Sequence, residues 1–211
     1  MPFPLIIPLA ILGYAFVRGL SRDSPETASP PREVFDQIAL IGPTSAGKSY
    51  LGNVLVGKVV FDSSPLHGTT RQCATAWLKN GFEIVDTPGL LDGSPARDIA
   101  MDAALESRVV VYVTDGELFE PELQFLVEMG NEMRPRDSHE LIIFLSKFDL
   151  REKTMPTSER SKLVARLSQQ ISELQDSTAF SGVEVHELVK GGVGQHAAII
   201  DSVNAAINAD R

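Results

Sequence analysis

The chain has 211 residues, 43% of them apolar and 22% charged, and carries a net charge of −9. With the first few tens of residues set apart, about 175 remain, enough for one domain around one core. The acidic balance argues against a nucleic-acid partner, since proteins that bind nucleic acid present a basic surface. The single cysteine, Cys73, excludes an internal disulfide and suits a reducing compartment.

Residues 1–17 contain no charged side chain, and the run from Pro2 to Val17 is dense in Leu, Ile, Phe and Val. As a helix it would reach about 25 Å, slightly short of a hydrocarbon core of about 30 Å. A cleaved secretory signal carries a basic leader and a small-residue cleavage site, and neither is present here. Against that reading, and against a partner-bound helix, residues 1–20 are read as a membrane anchor. Arg18 and Arg22 follow the run, so the positive-inside rule sets the rest of the chain on the cytoplasmic face of the membrane. Residues 21–34, rich in Ser, Pro and charge, form a linker to a folded domain at 35–208.

Within that domain the pattern alternates. Gln37–Ile41 is a short apolar strand ending at Gly42, and Ser49–Val56 has helical spacing of Leu51, Val54 and Leu55. Ala74–Leu78 and Phe82–Val85 flank Asn80-Gly81, a hairpin signal. Arg108–Thr114 and Leu141–Leu145 are β-branched or wholly apolar runs of buried-strand length, and Pro121–Met133 between them reads as a helix. Thr157–Leu174 is strongly amphipathic; Val183–Val189 reads as a last strand and Gln195–Ile207 as a last helix. Strands alternating with helices imply an α/β fold, a mostly parallel sheet with helices on both faces, which binds ligands beyond the carboxyl ends of its strands.

The motifs fall at those ends. Residues 42–49, Gly-Pro-Thr-Ser-Ala-Gly-Lys-Ser, fit the phosphate-binding P-loop pattern between a strand and a helix. Glycines let the loop curl so that backbone N–H groups meet phosphates, aided by the positive end of the helix. Lys48 would reach the β- and γ-phosphates, and the Ser49 hydroxyl would ligate Mg²⁺. The cofactor-binding set in this loop is Gly42, Ser45, Ala46, Gly47, Lys48, Ser49 and Tyr50. Asp86-Thr87-Pro88-Gly89 follows a β-run, with Asp86 suited to Mg²⁺ and the Gly89 N–H to a γ-phosphate.

Ser146-Lys147-Phe148-Asp149 resembles the N/T-K-x-D pattern of GTPases, and Gly68-Thr69-Thr70-Arg71 resembles the G-x-T-R of the Era/TrmE-like P-loop GTPases. Residues 48–57, Lys-Ser-Tyr-Leu-Gly-Asn-Val-Leu-Val-Gly, also look like the P-loop helix of that superfamily. The resemblance implies a three-layer, six-stranded sheet, GTP or GDP with Mg²⁺ as ligands, and hydrolysis of GTP to GDP. It implies that Asp149 accepts hydrogen bonds from guanine, that the Lys147 stem packs over the base, and that Thr70 meets Mg²⁺ and the γ-phosphate. Lys48, Thr70 and Gly89 would carry catalysis; Ser49, Thr70 and Asp86 would serve the metal. Two mobile switch segments, near 58–71 and 88–100, are implied as well.

The chain departs from the pattern at three places. Ser146 replaces the usual Asn or Thr and Ser45 a common Asn, while Leu90 occupies the position of the glutamine that orients water in Ras-like enzymes. The expectation is a membrane-tethered switch with slow hydrolysis, acting through an unknown protein effector or activator. A nucleotide-dependent dimer, formed by some relatives, is a further candidate partner. The alternatives are an interaction module with negligible hydrolysis and an ATP-dependent P-loop kinase. His67, three residues before Thr70, is a loop histidine with a minor claim to a catalytic role. Trp77, in the hairpin, is expected to be a packing residue, and so is Cys73.

Overall fold

In the computed structural model, residues 35–62, 72–90, 92–133, 140–147, 153–177, 183–187 and 193–208 are described. The chain divides into two units, Met1–Pro31 and Arg32–Arg211, and every described residue lies in the second. The anchor expected at 1–20 and the linker at 21–34 lie outside the described residues. Among the described residues no helix is long and apolar enough to cross a membrane.

The elements run β1 (Phe35–Ile41), α1 (Lys48–Val56), β2 (Ala74–Trp77), β3 (Glu83–Asp86), α2 (Ser94–Glu106), β4 (Ser107–Thr114), α3 (Glu120–Glu132), β5 (Glu140–Leu145), α4 (Thr157–Ser177), β6 (Val183–Glu187) and α5 (Val193–Asn208). The six strands form one sheet in the order β2-β3-β1-β4-β5-β6. All neighbours are parallel except the β2–β3 hairpin.

Side-chain alternation along the central strands builds a core on each face. Ala39 and Ile41 of β1, Val110 and Tyr112 of β4, and Leu141, Ile143 and Leu145 of β5 join α2, α3 and α4 through Ala100, Phe125, Met129, Leu167 and Ile171. The intervening residues Ile38, Leu40, Val109, Val111, Val113, Ile142 and Phe144 meet Leu51 of α1 and Val203 and Ile207 of α5 on the other face. This is why β4 and β5 read as unbroken apolar runs: both of their faces are covered.

Residues 94–106 form helix α2, an element that the sequence pattern did not mark, and it overlaps the segment 88–100 that the resemblance makes a switch. Its buried positions are mainly alanines (Ala96, Ala100, Ala103, Ala104), which give a weak periodic signal, and only Pro95 in its first turn marks a start. Of the other expected switch, near 58–71, residues 63–71 lie outside the described residues; at its start the Asn53 Oδ1 accepts the N–H groups of Val60 (2.8 Å) and Phe61 (2.9 Å), and its Nδ2 donates to the Phe61 carbonyl. The Phe61 ring is buried against Gly52, where a Cβ would lie 2.8 Å from it. The packing expected of Trp77 and Cys73 is corrected: Trp77 is 67% exposed and Cys73 is exposed, so neither is a core residue. Strand β2 is an edge strand, and its alternation turns Ala76 toward the core and Trp77 away.

Candidate nucleotide-binding site

The sheet order reverses at β1, with β3 on one side and β4 on the other, and the loop after β1 rises at that switch point. The register sets the strand ends level: Leu40 beside Asp86, Ile41 beside Tyr112, Thr114 beside Leu145. Gly42, Asp86 and Ser146 therefore emerge along one edge of the sheet.

Gly42 has φ 145°, and a Cβ there would run into the backbone carbonyl of Val113 on β4. Ser45 (φ 61°) and Gly47 (φ 104°) are left-handed, which curls the loop back into α1, with Gly47 as its N-cap. No side chain caps this helix end and its first turn holds no acidic residue, so its positive end is left for an anion. Lys48 is buried and bends back over the loop, its Nζ donating to the carbonyls of Gly42 (3.0 Å) and Pro43 (2.9 Å). Burial lowers its pKa to about 8, against the opposing pull of Asp86 and Asp92. It stays mostly protonated at neutral pH. The Tyr50 side chain, on α1, packs against the core of that face.

At the end of β3, the Ser49 hydroxyl donates to Asp86 Oδ2 at 2.7 Å. Asp86 is 1% exposed, and its Oδ1 is buried with no hydrogen-bond partner among the described residues. Burial pushes its carboxyl pKa up, offset by the Ser49 hydrogen bond and the Lys48 charge. A buried carboxylate oxygen with nothing to accept is costly. A hard divalent cation would satisfy it, and the two donors here are oxygens. Among the described residues no group of three or more His, Cys, Asp or Glu side chains is placed to hold a metal ion. A metal at Ser49 and Asp86 would thus draw its other ligands from phosphate and water, the coordination Mg²⁺ favours. The residues fit that ion.

The segment after Asp86 folds against the P-loop. Thr87 is fully buried, its hydroxyl donating to the Leu40 carbonyl at 2.8 Å. Gly89 passes so close that a Cβ would meet Thr44 and Asp92. The Leu90 N–H donates to the Gly42 carbonyl (3.0 Å), while its side chain, 3% exposed, turns into the core shared by α2 and α3. Leu90 therefore faces the core and not the phosphate loop. Facing the loop instead is Asp92, which the sequence reading passed over: its Oδ1 accepts a 2.5 Å hydrogen bond from the Thr44 hydroxyl, and its N–H donates to the Gly89 carbonyl. An acidic residue three positions past the glycine was the available signal.

At the end of β5, the Ser146 N–H donates to the Thr114 carbonyl (2.7 Å), which sews the strand ends together. The Ser146 hydroxyl is buried beside Gly47 and has no partner among the described residues. Lys147 is left-handed (φ 56°) and its Nζ pairs with Asp115 Oδ2 at 2.8 Å. The structure thus brings Gly42, Ser45, Ala46, Gly47, Lys48, Ser49, Tyr50, Asp86 and Gly89 to one edge, with Lys147 on the adjacent strand end. Thr70, Asp149 and His67 lie outside the described residues.

Residues 37–147 match the family model described as 50S ribosome-binding GTPase. The chain belongs to that GTPase family. It is similar to the tRNA modification GTPase MnmE of Halorhodospira halophila, 31% identical over 124 residues, which are 54% of this chain and 25% of MnmE. It is also similar to immune-associated nucleotide-binding protein 7 of Arabidopsis thaliana, 45% identical over 62 residues, 27% of this chain and 20% of that protein. The chain thus spans about a quarter of the length of these relatives. Among solved structures, Era in complex with MgGDPNP and nucleotides of 16S ribosomal RNA superposes with a TM-score of 0.57 at 19% identity, covering 82% of this chain and 56% of Era. Arabidopsis thaliana Toc33 superposes with a TM-score of 0.53 at 17% identity, covering 96% of this chain and 91% of that one. Those two likenesses carry the fold alone. What the comparisons carry for this chain is membership of a GTPase family. The ATP-dependent kinase reading gives way to it.

Proposed function

We propose that this GTPase is a nucleotide-controlled switch whose unaided hydrolysis is slow and whose N-terminal segment, 1–20, tethers it to the cytoplasmic face of a membrane. The observation that carries slow hydrolysis is Leu90: its side chain is in the core and its backbone is bonded to the P-loop, so that position offers no polar group to an attacking water. In this reading the P-loop N–H groups and the end of α1 hold the phosphates, with Lys48 released from the Gly42 and Pro43 carbonyls to reach the β- and γ-phosphates. Ser49 and Asp86 hold Mg²⁺, whose chemistry is to neutralise charge on the phosphate oxygens. The Gly89 N–H turns to the γ-phosphate, which pulls Asp92 off Thr44 and moves the start of α2. Lys147 packs over the base, and Asp149 and Thr70 complete the guanine and metal contacts expected of them.

Single-turnover hydrolysis of radiolabelled GTP by the purified full chain tests the first half. The expected rate is well below ~1 per second, the low end of ordinary turnover; a rate at or above that removes the reading. No hydrolysis at all would favour the second reading, a guanine-nucleotide-dependent interaction module, motivated by Leu90 and Ser146. Fractionation tests the tether: the full chain should sediment with membranes and a variant lacking residues 1–20 should not. The acidic charge and the lack of room for an RNA-binding domain argued against a nucleic-acid partner, and that expectation gains no support from Era, which is seen with ribosomal RNA. The effector, and dimerisation through the switches, belong to the same proposal and are read by nucleotide-dependent capture and by mass in solution.

A further inference from the structure

The segment that follows β5 is held unusually. Ser146 stands where an amide or threonine would brace the guanine loop, yet its buried hydroxyl bonds to nothing among the described residues. Among the described residues, the backbone register there is held by the Ser146 N–H to the Thr114 carbonyl and by Lys147 Nζ to Asp115 Oδ2 at 2.8 Å. Lys147 is a left-handed, non-glycine residue, a conformation that needs support from its surroundings.

Asp115 is itself on a fixed support. The loop after β4 is bracketed by α4: Gln170 Oε1 accepts the Leu118 N–H (3.1 Å) and Gln170 Nε2 donates to the Leu118 carbonyl (2.9 Å), while Arg166 pairs with Glu117 at 2.6 Å. The carboxylate that meets Lys147 is thereby anchored to a long helix packed on the sheet.

We propose that Asp115 is a positioning residue for guanine recognition. By holding the Lys147 ammonium it lays the lysine stem along the strand ends where the base must stack, and it does the bracing that Ser146 leaves undone. This rests on the reading that Lys147 covers the base, and it assigns Asp115 no contact with the nucleotide. Glu117 and Gln170 enter only as supports of the loop.

The experiment uses the full chain with Mg²⁺ and fluorescent GDP, displaced by GDP, ADP or inorganic pyrophosphate. Asp115→Ala should weaken GDP about fivefold, what one half-exposed ion pair can supply. Pyrophosphate binding should not change and the melting temperature should move little, so the GDP-over-ADP preference narrows. Asp115→Asn, which retains an acceptor, should lose less, and Ser146→Asn added to Asp115→Ala should restore GDP affinity. If GDP and pyrophosphate weaken together with a lowered melting temperature, or if GDP binding is unaffected by either variant, the proposal is overturned. A wild-type protein without preference for GDP over ADP would instead refute the guanine reading itself.

Discussion

Leu90→Gln is the substitution that the sequence invites and the structure forbids. By pattern, glutamine at this position should supply the missing water-orienting group and speed hydrolysis. In the structure the position 90 side chain points away from the phosphate loop into the core and is 3% exposed. Removing the buried leucine costs about 1.5–3 kcal/mol of apolar burial. Placing an amide there without partners costs about 1–3 kcal/mol more. The sum, about 2.5–6 kcal/mol, is a large part of the 5–15 kcal/mol that ordinarily holds a domain. For a domain of this size, each kcal/mol moves the melting temperature by roughly 2–4 °C. The variant should therefore melt roughly 5–24 °C lower with no gain in single-turnover GTP hydrolysis. Thermal melting by circular dichroism and the hydrolysis assay read both effects on one preparation. A variant as stable as wild type and faster at hydrolysis would mean that residue 90 reaches the phosphates, and the slow-hydrolysis reasoning would fall with it.

Other outcomes follow from the same geometry. Gly42→Ala should cost about 3–5 kcal/mol or prevent folding, because its Cβ meets the backbone of β4, which cannot step aside; a soluble variant with wild-type urea midpoint would refute this. Asp92→Ala should tighten binding of a non-hydrolysable GTP analogue more than that of GDP, since the carboxylate lies against the P-loop where it would repel a γ-phosphate; an unchanged ratio by fluorescence competition would argue otherwise. Glu122 is buried and accepts hydrogen bonds from the Tyr112 hydroxyl (2.8 Å) and the Phe119 N–H (2.9 Å), and burial raises its carboxyl pKa above 4.5. The folded state then binds more protons than the unfolded state above pH 4.5, so this residue's contribution is full below that pH and is lost as pH rises through the folded pKa. Glu122→Gln should flatten that part of the stability profile in urea titrations, and an unaltered slope would show that Glu122 does not titrate there.

Most of the fold was legible because the signals are local. The apolar runs of β1, β4 and β5, the Asn80-Gly81 turn and the heptad-like face of α4 each state their own conformation, and the P-loop pattern names its strand–loop–helix context. Helix α2 escaped because alanines bury little area each, and its helical phase shows only once the sheet is there to receive it. The same holds for Trp77: a lone tryptophan reads as core, and only the strand order makes β2 an edge with one face uncovered.

Side-chain direction is what sequence order does not carry. The sequence by itself determined the parallel α/β plan, the P-loop and its Lys48–Ser49 pair, and the family, because those depend on residue type and spacing. The tertiary structure alone decided that Leu90 turns to the core while Asp92 meets Thr44, that the Ser146 hydroxyl bonds to nothing among the described residues, and that Lys147 is held by Asp115. Each of these turns on which strand end lies next to which, and strand ends remote in sequence become neighbours only when the sheet closes around β1.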